Sequence, residues 1–332
     1  MAAWVRKNWF MLGMPLAVAL AWVLPEAGAK GGWLKAEVTT KVAVALVFFC
    51  QGLTLPASAL KAGAKRWRLH AAVQGYTFVV LPLLGIALDA LVGSRLAPDL
   101  RVGFLFLAVL PSTIVMSVAL TTVANGNVAA AIFNAVLSNV IGVFITPAWV
   151  TWLLHATDQV QPLGSVLRQV GLLLLLPLLV GQVLRRVGLE TWADARRKAL
   201  SHTSNAVILL IVYAAFCDSV VARFWSAHRW TTFLTAAVGV VAFLLLALAG
   251  AVWLGRRLRF EATDRTVLAF CGAQKTLATG VPLAKLIFGS HPGLGLILLP
   301  IMLYHPLQLF ICGTLAGRWA GPEPTDPRVT ER

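Results

Sequence analysis

Acidic residues are scarce in this chain. Asp and Glu together number 13 of 332, and charged residues of both signs make up 12%. A soluble globular protein carries about 25%, so this chain cannot cover a folded surface with groups that suit water. That excludes a soluble enzyme, a disordered tail protein and a nucleic-acid binder of ordinary composition. Cysteine is scarce as well. Cys50, Cys217, Cys271 and Cys312 fall in or at the ends of apolar runs, and no CxxC pair exists. They read as small apolar residues, with neither a disulfide framework nor a zinc site. No metal-ligating cluster, carboxylate pair or nucleophile–base constellation lies in an apolar run, so the residues support no enzyme and imply no cofactor.

Apolar residues are what the chain has in abundance: 59% of the total, with a mean hydropathy of +0.81. A helix crossing the hydrocarbon core needs about 20 of them in succession. Ten runs fit. They are Trp9–Leu24, Val38–Leu55, His70–Leu91, Val102–Val123, Val128–Leu154, Leu163–Leu184, Ser204–Val221, Thr232–Leu254, Thr266–Phe288 and Gly293–Leu315. The reading is an all-α polytopic membrane protein forming one transmembrane domain over residues 1–321. A Pro-rich polar tail over 322–332 is expected to be disordered. Arg6 and Lys7, an apolar run and Ala27-Gly28-Ala29 also fit a cleavable signal peptide. Nine further spans make a retained first helix the more economical reading.

The net charge of +15 is explained by position. Basic residues mark the cytoplasmic side of a membrane protein. With the N-terminus inside, the inner segments hold Arg6 and Lys7; Lys61, Lys65, Arg66 and Arg68; Arg185, Arg186, Arg196, Arg197 and Lys198; Arg256, Arg257, Arg259 and Arg265; and Arg318, Arg328 and Arg332. That is 18, against 8 in the outer segments. Both termini are therefore expected in the cytoplasm, in a bacterial inner membrane. The surplus charge records orientation and gives no reason to expect nucleic acid.

Two spans are interrupted by polar and helix-breaking residues. The fourth contains Leu110-Pro111-Ser112-Thr113, then Ser117, Thr121 and Thr122. The ninth contains Gly272-Ala273-Gln274-Lys275-Thr276, then Thr279, Gly280 and Pro282. Pro removes a backbone donor and Gly adds backbone freedom. Unwound backbone inside a bilayer is tolerated only in protein or beside a watery cavity. If spans one to five and six to ten form two halves, each break falls in the fourth helix of its half, and the halves run in opposite directions. Such a matched pair points to a transporter binding site. The next span in each half is also polar: Asn134, Ser138 and Asn139 in the fifth, His305 and Gln308 in the tenth. Single polar residues of this kind also serve simply as interhelical hydrogen bonds, and Gln51 and Gln74 share that ambiguity. Lys275 is the sharpest residue, because an intramembrane ionisable group is a functional candidate by default. No carboxylate stands mid-span to pair with it. It is a proton carrier, a fixed counter-charge for an anion or a built-in cation, unless it snorkels from the break. Lys285, nearer a span end, is expected to snorkel.

Several blocks together resemble a known family. They are Phe48-Phe49-Cys50-Gln51-Gly52-Leu53-Thr54-Leu55, Trp67-Arg68-Leu69-His70, Gly126-Asn127-Val128-Ala129-Ala130-Ala131, Ser138-Asn139-Val140-Ile141-Gly142-Val143-Phe144-Ile145-Thr146-Pro147, Gln274-Lys275-Thr276-Leu277-Ala278-Thr279-Gly280-Val281-Pro282 and His305-Pro306-Leu307-Gln308-Leu309-Phe310. Over nearly its whole length the chain resembles the bile acid:sodium symporter superfamily, and within it the solute-carrier-ten-member-seven-like branch. The resemblance implies ten helices in two inverted five-helix repeats, about 9–155 and 163–318. It also implies a panel domain, a core domain and two discontinuous helices, four and nine, crossing near the substrate site. One departure matters. Sodium-coupled members carry a Glu four residues before the Gln of the second broken helix; here Phe270 stands before Gln274, and no carboxylate is available. A second sodium beside Lys275 would be repelled by it.

The expectation is a secondary transporter of a small organic anion, working by alternating access. Ser112, Thr113 and Ser117 with Asn134, Ser138 and Asn139 form one half of the site. Gln274, Lys275 and Thr276 form the other, lined by His305 and Gln308. Ser112, Thr113, Ser117, Asn134 and Ser138 offer neutral oxygens to one sodium ion. Coupling to sodium or to a proton stays open. The rivals are an antiporter or ion-homeostasis protein in which Lys275 titrates, and a solute sensor that moves nothing. The expected partners are the solute and the bilayer, with no nucleic acid and no obligate protein partner.

Overall fold

A computed structural model describes residues 2–54, 65–154, 168–169, 171–221, 230–289 and 291–320. The tail over 322–332, the start of the sixth span, and Lys61, Arg223, Arg229, Arg328 and Arg332 lie outside the described residues. Twelve helices carry the fold: α1 (Ala2–Val23), α2 (Ala36–Thr54), α3 (Trp67–Arg95), α4 (Pro98–Val109), α5 (Ile114–Val123), α6 (Val128–Leu154), α7 (Gly171–Ala195), α8 (Arg197–Val221), α9 (Trp230–Arg257), α10 (Ala262–Ala273), α11 (Leu277–Phe288) and α12 (Leu294–Trp319). No strand occurs among the described residues.

Seven of these, α2, α3, α6, α7, α8, α9 and α12, are long and apolar enough to cross a membrane. The pair α4 and α5, bent by 60° at its break, makes an eighth when taken as one span. The outward faces are apolar, with Trp152, Trp253 and Phe310 between 65% and 75% exposed, as lipid contact requires. The ends follow local rules. Pro98 opens α4 with Asp99 in its first turn, where the missing donor and the negative charge both suit a helix start. Leu110, next to Pro111, is extended (φ −69°, ψ 149°), because a residue before proline is driven out of the helical region. Gly289 closes α11 at φ 58°, a conformation glycine adopts without strain.

The extensive packing falls into two sets. In one, α2 packs on α7 and α8, and α1 on α8. In the other, α3, α4, α5, α6, α9, α10, α11 and α12 pack among themselves. The main bridges between the sets are α8 against α11 and α12, and α2 against α11. Lipid gives helices no hydrophobic reason to associate, so close approach and hydrogen bonds must do it. Gly52 and Gly181 allow this at the α2–α7 crossing. A Cβ at Gly52 would collide with the Leu178 carbonyl, and one at Gly181 would lie 2.5 Å from the Phe49 carbonyl. At the same place Gln182 Nε2 donates to Gly52 O at 2.6 Å and Arg185 Nη1 to Leu53 O at 2.8 Å, which satisfies the last carbonyls of α2.

Candidate functional site

Each break exposes backbone groups in the middle of the protein, and every such group needs a partner. The two breaks meet: Thr276 N–H donates to Pro111 O at 3.0 Å. In the first break, Ser112 N–H donates to Ser138 Oγ at 3.0 Å and Asn139 Nδ2 donates to Ser112 O at 2.8 Å. Thr146 Oγ1 donates to Val109 O at 2.8 Å. In the second break, Lys275 N–H donates to Gln308 Oε1 at 2.9 Å and Gln308 Nε2 donates to Lys275 O at 2.9 Å. Tyr304 OH donates to Ala273 O at 2.7 Å. The helix after each break thus supplies a matched donor and acceptor: α6 for the first, α12 for the second. Ser138, Asn139 and Gln308 are where sequence placed them, and what they hold is the unwound backbone.

Lys275 does not snorkel. It is fully buried, and its Nζ donates to Leu110 O at 2.7 Å, Ala108 O at 2.8 Å and Thr77 O at 3.5 Å. Three carbonyl acceptors match the three donors of an ammonium group. Two of them belong to the carbonyl end of α4, where the helix dipole is negative and the last carbonyls lack intrahelical donors. The side chain of the second break therefore caps the first.

The residues expected to offer oxygens divide between three places. Ser112 Oγ lies 3.2 Å from Ser117 Oγ, which also meets Gln274 Oε1 at 2.8 Å and Phe270 O at 3.2 Å. The second amide atom, Gln274 Nε2, has no hydrogen-bond partner. Ser138 holds the first break. Asn134 is drawn towards α3, where Nδ2 meets His70 Nδ1 at 2.9 Å and Oδ1 accepts from Gln74 Nε2 at 3.2 Å.

Thr113 faces a cavity of about 230 Å³ in the seam between the two helix sets. On one side lie Thr113, Ile114 to Met116 of α5, Asn139, Thr276, Ala278, Thr279 and His305; on the other lie Phe10, Gln51, Thr54, Arg197, Ser201, Ser204 and Asn205. The first turns of α5 and α11 both face it. Their leading N–H groups have no intrahelical acceptor, and neither Thr113 nor Thr276 caps with its side chain. His305 presents a donor. Lys275 N–H fixes the Gln308 amide so that Nε2 also donates to His305 Nδ1, at 3.1 Å. The imidazole hydrogen then sits on Nε2. Arg197 adds positive charge, and no acidic residue is among the described residues that line the wall.

Sequence reasoning missed Arg197, Ser201, Ser204 and Asn205. The run containing them was expected to begin at Ser204, but α8 begins at Arg197. Their i, i+4, i+7, i+8 spacing is one helical face, a signal present in the sequence. Lys285 corrects a second expectation. Its side chain is 9% exposed and its Nζ lies 3.0 Å from Asp218 Oδ2, itself 7% exposed. A carboxylate on a neighbouring helix end holds it, so it has no reason to reach for water.

The model of the SBF-like CPA transporter family matches residues 8–321 of this chain. A Pseudomonas aeruginosa protein, "Uncharacterized protein PA2026", is 39% identical over 311 residues, which is 94% of this chain and 92% of that protein. The Escherichia coli "Putative symporter YfeH" is 36% identical over 93% of this chain and 92% of its own length. The rat "Sodium/bile acid cotransporter 7" is 31% identical over 94% and 92%.

Proposed function

Because the chain belongs to the SBF-like CPA transporter family, and so is an integral membrane transporter rather than an enzyme, we propose that it carries a small organic anion by alternating access. The observation that carries this reading is the seam cavity. Two half-helix N-termini and Arg197 border it and, among the described residues, no carboxylate does, a combination that favours negative charge. In this reading the four-helix set is the panel and the eight-helix set the core. Ten spans form two inverted repeats, about 9–155 and 163–318, with both termini in the cytoplasm of a bacterial cell. The cavity is then the inward-facing site, since Arg197 belongs to a cytoplasmic cluster.

The coupling follows from Lys275. Its Nζ sits on the carbonyl end of α4 as a cation would, so it takes the place of one coupling ion. The oxygens of Ser112, Ser117, Phe270 and Gln274 remain for a single sodium ion. An antiporter in which Lys275 carries the proton is the second reading. It is less favoured, because three carbonyls hold that group in place. Purified protein in proteoliposomes, tested with organic anions under imposed sodium or proton gradients, decides between them. Saturable uptake driven by sodium alone is expected. Non-saturating flux indifferent to both gradients would sink the carrier reading.

A further inference from the structure

The two helix sets are latched at the end of the seam farthest from the cavity. Asp218 and Ser219 stand in the last turn of α8, 21 residues beyond Arg197, or roughly 30 Å along the helix. Asp218 Oδ2 meets Lys285 Nζ of α11 at 3.0 Å, and its Oδ1 accepts the Lys30 N–H at 2.7 Å. Ser219 Oγ donates to Pro292 O at 2.7 Å and accepts from Gly295 N–H at 3.3 Å, beside the start of α12. Among the described residues, Asp218–Lys285 is the only ion pair that joins one helix set to the other. The remaining pairs stay within a set.

Beside this latch lies a second cavity, of about 490 Å³. Lys30, Lys41 and Lys285 line it with Glu37, Thr40 and Gln169, three amines to one carboxylate among the described residues. Lys285 is thus held by Asp218 and also lines a basic pocket. The same two helices, α2 and α11, run from this pocket to the seam cavity. We propose that this pocket is the admission site on the far side of the membrane, where the carboxylate of an organic anion takes the place of Asp218 on Lys285 and releases the latch. The inference rests on the anion-carrier reading. The exchange keeps the Lys285 ammonium paired, while Asp218 keeps the Lys30 N–H and is hydrated only as the seam opens, so the anion's preference for the opened seam shifts the equilibrium. A neutral solute has no such differential affinity. The latch therefore selects by charge before the seam cavity is reached.

Hydrogen–deuterium exchange of the full chain in zwitterionic-lipid nanodiscs tests this without any transport measurement. Asp218→Asn should speed exchange in peptides over 28–44 and 283–296 by roughly a hundredfold and leave 240–256 unchanged. Benzoate, succinate or citrate added to the native chain should speed the same two peptides several-fold over chloride at equal ionic strength. The swapped pair, Asp218→Lys with Lys285→Asp, should restore protection and remove the anion response. It also keeps the test decisive if the single variant does not fold. Native-like protection in Asp218→Asn, no native response to any of the three anions, or a swapped pair that still responds would overturn the proposal. If exchange responds and liposome uptake does not, the admission site stands and the carrier reading falls.

Discussion

Replacing Lys275 tests whether a side chain stands in for an ion. Lys275→Ala removes charge-assisted bonds to Ala108 O and Leu110 O, each worth about 1.5–3 kcal/mol. It also removes the buried methylene stem, at about 0.8 kcal/mol for each CH₂. Against this stands the cost of burying an ammonium, which is several kcal/mol. These opposing terms leave a modest net loss. What the substitution leaves behind is more informative: the carbonyl end of α4, with three oxygens converging on an emptied space. Such a site takes a hard cation. If sodium binds there with a Kd of about 10 mM, 150 mM sodium stabilises the variant by ~1.6 kcal/mol, or about 2 °C in Tm for a chain of this length. The assay is thermal unfolding in sodium, potassium and choline chloride at one ionic strength. The expected order is a variant less stable than the native chain in choline and specifically recovered by sodium. Lys275→Met, which refills the stem space, should melt low and show no sodium shift beyond that of the native chain. An equal sodium shift in the native chain and Lys275→Ala would refute the reasoning, because the native site already holds its cation.

Gln308→Leu should cost about 2–6 kcal/mol, since it orphans both the N–H and the C=O of Lys275 in a dry interior. A lowered Tm together with lost uptake checks it. Arg197→Gln acts elsewhere. Its side chain is exposed at the cavity wall and holds nothing together, so Tm should not move, while KM for an anionic solute rises roughly threefold to tenfold. An unchanged KM removes Arg197 from the solute's path.

Much of this was legible in the sequence because the bilayer leaves the chain few choices. Of the ten apolar runs, eight coincide with helices, or the bent pair, long and apolar enough to span, while the first and ninth fall on shorter helices. Pro111 and the Gly272–Thr276 stretch marked both breaks, as unwound backbone at that depth is rarely incidental. The partners of the breaks were legible as residues but not as roles. Ser138 and Gln308 were expected to line a site, and they support backbone; Asn139 does both, holding Ser112 O and lining the seam cavity. Nothing in one dimension separates a polar side chain that faces a cavity from one that faces a carbonyl. Asn134 and Ser138 stand four apart on α6, yet one bonds towards α3 and the other to the first break. Asp218 and Lys285 lie 67 residues apart, so their pairing was invisible until α8 and α11 were packed. Arg197 was legible and was passed over, because a basic residue near a span end reads first as a topology signal.

The proposed sign of the solute rests on how the four half-helix ends are treated. A broken helix presents carbonyls at one end of its gap and N–H groups at the other. The carbonyl ends are closed internally, α4 by Lys275 and Thr146, and α10 by Tyr304. The N–H ends of α5 and α11 are left facing the cavity. Had the chain capped both kinds of end, the cavity would have no electrostatic preference. Had it closed the N–H ends and left the carbonyls open, the same fold would select cations. In the proposed reading the amine buried at Lys275 therefore does more than occupy an ion's place. By consuming the negative ends of the gap, it leaves the N–H ends of α5 and α11 as the half-helix ends that face the seam cavity, and in that reading those favour an anion.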